Sequence, residues 1–148
     1  MWWGARTGLF RFEKSEILRP AQDDRLKILI LNMLPKTLVM VESDPRTSPR
    51  AAEGIRIAAG IGAWRKTEVT LLLRGPAGYS LQEYADDLVD EDNFVRYLPI
   101  VAEAPRPIYL EDSFGDVAAL EGSAFRYEMI SPARTAELIR THDYLIRL

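Results

Sequence analysis

The chain has 148 residues, 47% of them hydrophobic, enough for one domain with a full core and too few for two ordinary ones. The net charge of −3, with both signs interspersed, gives no footprint for nucleic acid or an acidic membrane surface, and the absence of cysteine excludes disulfides, thiolate metal sites and thiol nucleophiles. No apolar run approaches the roughly 20 residues that span a bilayer, and residues 1–14 lack the uninterrupted apolar core of a secretory signal, so the expected setting is the cytoplasm.

In chain order, residues 1–24 hold neither helical nor strand periodicity. They read as an irregular extension, either a tail or an aromatic anchor through Trp2, Trp3, Phe10 and Phe12. Residues 26–34, LKILILNML, are apolar enough for an extra edge strand within an N-terminal extension of residues 1–35. The expected α/β domain is 36–148, opening on a first strand at 37–42. Ser48 as N-cap and Pro49 at the first helical position then start a helix over 50–65. Its Gly54, Gly60 and Gly62 lower helix propensity, and close packing of the helix on a sheet is the expected compensation. A strand at 68–73 completes a βαβ unit, which implies parallel strands.

A turn-rich loop at 74–79 leads to Ser80-Leu81-Gln82-Glu83, a capping-box pattern that predicts a helix to about residue 89. The acidic cluster of Glu83, Asp86, Asp87, Asp90, Glu91 and Asp92 lacks calcium-loop spacing and reads as a solvated face. A helix at 91–103 should bend or break at Pro99. Short strands are expected at 107–111, 125–130 and 143–147. Ser131-Pro132 starts a last helix to about residue 140. The order βαβαβαβαβ defines an α/β protein: a three-layer α/β/α sandwich with a mainly parallel five-stranded sheet and flavodoxin-like topology, since a barrel needs about eight strands.

Chemistry in such a sheet belongs outside the carboxyl ends of its strands. Three segments converge there, containing Asp44, Arg46, Ser48 and Arg50, then Arg74 and Gly75, then Glu111, Asp112 and Ser113. The helix start at Ser48, with its arginines, could hold a small anion on free backbone N–H groups. The alternative is structural: Ser48 caps, Asp44 stabilises its own turn, and the arginines pair with carboxylates or water. Glu111 and Asp112, adjacent on a strand, point apart and do not make a converging acid–base pair. No catalytic residue, metal site or cofactor is assigned, and His142 is read as a turn residue before the last strand.

The combination of Ser43-Asp44-Pro45 after a hydrophobic strand, an alanine- and glycine-rich helix, Thr67 through Leu73 as TEVTLLL, and Gly75-Pro76-Ala77 resembles the DsrE/DsrF-like (DsrEFH sulfur-relay) superfamily. So does the closing helix followed by Asp143-Tyr144-Leu145, and the resemblance covers roughly residues 36–148. It implies a small α/β subunit that assembles as a homotrimer or a multiple of one, and in relay members a persulfide-carrying cysteine just after the third strand. This chain has Glu111-Asp112-Ser113 there. The leading expectation is a non-catalytic subunit or binding module, homo-oligomeric and with a protein partner. The alternatives are an enzyme or sensor for a small anionic ligand, and a cysteine-less accessory partner in sulfur transfer. The grouping of Phe94, Tyr97 and Leu98 is the expected interface patch.

Overall fold

The structure, a computed structural model, describes residues 24–30 and 32–148. Trp2, Trp3, Phe10 and Phe12 lie outside the described residues. The chain divides into two compact units, Met1–Leu34 and Pro35–Leu148. In the first, residues 24–30 and 32–33 are helical, which corrects the expected edge strand at 26–34. Leu26, Leu29, Ile30 and Met33 recur at helical spacing, and leucine, lysine and methionine are good helix formers; a short apolar run carries no strand signal of its own.

The second unit is an α/β sandwich. Its strands are β1 (Lys36–Val41), β2 (Glu68–Leu73), β3 (Ile108–Glu111), β4 (Tyr127–Ile130) and β5 (Tyr144–Arg147). Its α-helices are α1 (Arg50–Ala63), α2 (Glu91–Ala102) and α3 (Pro132–Thr141). The five strands lie in the order β4-β3-β2-β1-β5, and every neighbouring pair is parallel. Burial follows position: β1 and β3 are almost wholly buried, as strands covered on both faces must be, whereas β4 and β5 at the edges are largely exposed.

Side chains alternate between the two faces. Val39, Val41, Leu71, Leu73, Ile108 and Leu110 pack with Ile55 of α1 and with Phe94 and Leu98 of α2. Leu38, Met40, Leu72, Tyr109 and Ile130 pack with Leu138 of α3 on the opposite face. The third layer is therefore α3, and the expected three-layer sandwich is borne out. Phe94 and Leu98 are only 2% and 1% exposed. They fill the main core, with Tyr97 packed against it, so this trio is not an outer patch.

Three local expectations are corrected. Ser80 does not open an α-helix: Gly75–Leu81 is a 3-10 helix, followed by turns up to α2. Gly75-Pro76 has already begun a tighter coil, and Gln82, with ψ at 159°, leaves the helical region and ends it although Leu81, Ala85 and Leu88 have helical spacing. The β3 to β4 crossover, expected from Asp112 onward as a loop or short helix, is a loop with the short 3-10 segment Val117–Leu120. Helix α2 runs through Pro99, which sits near its carboxyl end with an exposed side chain. Helix α1 starts at Arg50 as expected, but Pro49 and not Ser48 is its N-cap, and Ser48 Oγ accepts from the Arg50 N–H at 3.3 Å. At α3 the expected cap is present, Ser131 accepting from the Arg134 N–H.

Close packing explains one glycine of α1 and leaves two unexplained. A Cβ on Gly54 would lie 2.7 Å from Val41 Cγ2 and 3.2 Å from Leu148 Cδ1, so α1 needs glycine there to approach the sheet. Gly60 and Gly62 are exposed, with nothing within 4 Å of an added Cβ. Gly60→Ala is therefore expected to raise stability by about 0.5–1 kcal/mol through the lower entropy of the unfolded chain. Equilibrium urea unfolding measures this, and a loss of stability would show an unrecognised contact at Gly60.

Candidate functional site at the carboxyl ends of the strands

The β1–α1 loop is built on Asp44. Its carboxylate accepts from the Arg46 backbone N–H at 2.9 Å and from the Arg46 guanidinium at 3.0 and 2.8 Å, and its carbonyl accepts from the Ser48 N–H at 2.9 Å. The hydrogen bonds from Arg46 hold the Asp44 carboxyl below its ordinary pKa, outweighing partial burial. The same guanidinium lies 3.7 Å from the centre of the Tyr79 ring. Tyr79 meets Phe114 edge-on at 5.0 Å and donates its hydroxyl to Asp116 at 2.9 Å. That acceptor is the main reason the phenol's pKa is raised. The loops after β1, β2 and β3 are thus tied together by Arg46, Tyr79, Phe114 and Asp116.

A second cluster runs along the sheet edge. Arg74, just past β2, donates from Nε to Glu111 Oε2 at 3.0 Å and from Nη1 to Glu42 Oε1 at 2.6 Å. Arg147 of β5 donates from Nε to the other oxygen of Glu42 at 2.5 Å. Glu111 is only 2% exposed. Burial works to raise its pKa, but the hydroxyls of Thr135 and Ser113 and the Arg74 guanidinium outweigh it and hold the carboxyl below its usual range. Thr135 Oγ1 is buried beside the carboxylate yet makes no hydrogen bond of normal geometry, so its influence is that of a nearby dipole. Ser113 Oγ also accepts from the Gly75 N–H at 3.0 Å, and Gly75 has a φ of +52°, a conformation glycine adopts freely.

The structure thus gathers Arg74, Gly75, Glu111 and Ser113 at one point, and Asp44, Arg46 and Ser48 in a neighbouring loop, with Arg50 exposed at the start of α1. Asp112 is exposed while Glu111 is buried, so the adjacent carboxyls diverge as strand geometry requires. Glu42, Arg147, Thr135, Tyr79 and Asp116 were not among the expected site residues. Glu42 ends the first expected strand and could have been flagged from that position. Arg147 lies 105 residues from it, and no sequence spacing signals their pairing.

His142 stands apart from this edge. Its Nδ1 donates to the Leu138 carbonyl at 2.6 Å, which leaves Nε2 to accept from the Thr70 hydroxyl at 3.0 Å. Burial is the main cause of its lowered pKa, with Arg106 and Lys36 acting in the same direction against the Leu138 carbonyl and Glu68. It is a packed turn residue that fastens α3 to β2. Among the described residues no group of three or more histidine, aspartate or glutamate side chains is arranged to hold a metal ion, and no helix is long and apolar enough to cross a membrane.

Fold and site together define an open parallel α/β sandwich with charged and hydroxyl groups gathered at the carboxyl edge of its sheet. The crystal structure of the ychN protein from E. coli has this fold: it superposes with a TM-score of 0.63 over 78% of this chain and 100% of its own, at 14% sequence identity. At that identity the likeness establishes the fold alone. No protein-family model matches the chain, and no curated protein matches it.

Proposed function

We propose that the chain is a DsrE-like binding module, a cytoplasmic, homo-oligomeric and non-catalytic subunit that does not itself carry sulfur. The fold shared with ychN supports the DsrE-like part of this reading, together with the motifs from Ser43 through Ala77. The observation that carries the rest lies just after the third strand, where relay members of that family place their cysteine. Here the strand ends on Glu111, buried and ion-paired to Arg74, and Asp112 and Ser113 follow it.

Sulfane-sulfur transfer needs a thiolate that becomes a persulfide. A serine hydroxyl has a far higher pKa, and a methionine thioether has no ionisable proton. Four methionines are the only sulfur the sequence contains, and of these Met40 is a buried strand residue. Incubation of the protein with a cysteine desulfurase, cysteine and labelled sulfur is expected to leave its intact mass unchanged. A stoichiometric gain of one sulfur atom, removable by reductant, would overturn the assignment.

A further inference from the structure

Four charged side chains cross the carboxyl edge of the sheet in a row: Arg147 on β5, Glu42 just past β1, Arg74 just past β2, and Glu111 at the end of β3. The two carboxylates in this row differ in kind. Glu111 is buried and holds Arg74 from behind. The Glu42 side chain is 28% exposed and is held at its carboxylate by the two arginines. Its backbone is separately anchored, the N–H donating to the Leu148 carbonyl at 2.7 Å, so the side chain can swing out without moving the strand.

Two guanidinium groups from different strands that converge on the two oxygens of one carboxylate form a fork suited to any carboxylate or phosphate. We propose that Arg74 and Arg147 form an oxyanion site whose resident occupant, the Glu42 carboxylate, is displaceable by the carboxylate or phosphate group of a small ligand. The site lies outside the carboxyl ends of parallel strands, where open α/β sheets take their ligands. The fork is reachable from solvent on the β5 side, where the Arg147 side chain is 66% exposed. With Glu42 withdrawn, Arg74 stays paired to the buried carboxylate of Glu111, and the Arg147 guanidinium loses its carboxylate and is left for an incoming anion. Glu42 is then a built-in competitor, and its high local concentration sets how strong or how abundant a ligand must be to enter.

This inference rests on reading the chain as a binding module and names the class of ligand that module takes. It is tested on the full chain by titrating inorganic phosphate and, separately, acetate at constant ionic strength, following heat and melting temperature. Glu42→Gln is expected to bind at least one of the two about tenfold or more tightly than the wild type, because the internal competitor is gone. Adding Arg147→Ala to Glu42→Gln is expected to abolish that gain. The arm that gains more shows whether carboxylate or phosphate is the better occupant. Equal affinity of Glu42→Gln and wild type, or tight binding that survives Arg147→Ala, overturns the proposal. Should Glu42→Gln not fold, the guanidinium Nε–H signals of Arg74 and Arg147 in the wild type decide: they shift saturably with phosphate or acetate if the site exists, and an absence of shift refutes it. Uptake of labelled sulfur would overturn the proposed function and leave this result standing, whereas failure to bind either anion refutes the oxyanion site alone.

Discussion

Replacing Arg74 with methionine is expected to lower folding stability by about 2–3 kcal/mol, at or just below the lower end of the ~3–5 kcal/mol range for breaking a fully buried ion pair. Glu111 is 2% exposed, and without Arg74 its carboxylate would be left in the protein interior without its charged partner. The Arg74 side chain is itself 32% exposed, which weakens the pair by solvent screening and keeps the figure from the top of the range. Glu111→Gln should cost less, because it removes the buried charge together with the interaction and leaves Arg74 paired to Glu42.

The two variants also respond differently to acid. The folded state holds the Glu111 carboxyl below its ordinary pKa, so in mild acid the unfolded chain binds the proton more readily. The contribution of this group is therefore complete above the ordinary glutamate range and is lost as pH falls through the lower folded value. In Arg74→Met the part of that lowering due to the guanidinium disappears, and the stability gap to wild type should narrow as the pH drops. Urea unfolding at several pH values measures both effects. A midpoint for Arg74→Met indistinguishable from wild type at pH 7 would mean that the ion-pair row is ornamental to the fold.

Gly78→Ala is expected to destabilise by about 2–3 kcal/mol and to lower the melting temperature by roughly 6–10 °C. A Cβ there would sit 2.4 to 2.9 Å from three atoms of the Phe114 ring, closer than real contacts allow. The ring cannot simply move aside, since Phe114 is 3% exposed and Tyr79 packs against it edge-on. Phe114→Leu should recover part of the loss when combined with Gly78→Ala, because the smaller side chain yields the space; a double-mutant cycle measures that coupling. Additive effects would show that Gly78 is required for some reason other than Phe114. The contrast with Gly60, where alanine is expected to stabilise, separates a glycine demanded by packing from one that is merely tolerated.

The apolar runs at Leu38–Val41 and Leu71–Leu73 were legible as central strands because a strand covered on both faces has no polar positions. Ser131-Pro132 announced α3 because a cap and a proline act within one turn of chain. Where local pattern alone was followed it also misled. Ser80 and Glu83 have capping-box spacing, yet the coil had already tightened at Gly75-Pro76, and Gly78 lies against Phe114, 36 residues away in sequence. The grouping of Phe94 with Leu98 read as a surface, but both point into the core that α2 shares with α1.

For the site, the sequence by itself determined which segments reach the carboxyl edge, since in a parallel sheet every βα loop emerges there. It also determined that no thiol is present to do chemistry, because composition settles that without any fold. Only the tertiary structure decided which charges meet. The strand order β4-β3-β2-β1-β5 brings β5 back to the far side of β1, and that return places Arg147 against Glu42. Pairing across the sheet depends on which strands are neighbours and on their register, and neither is written in the local pattern of any one segment.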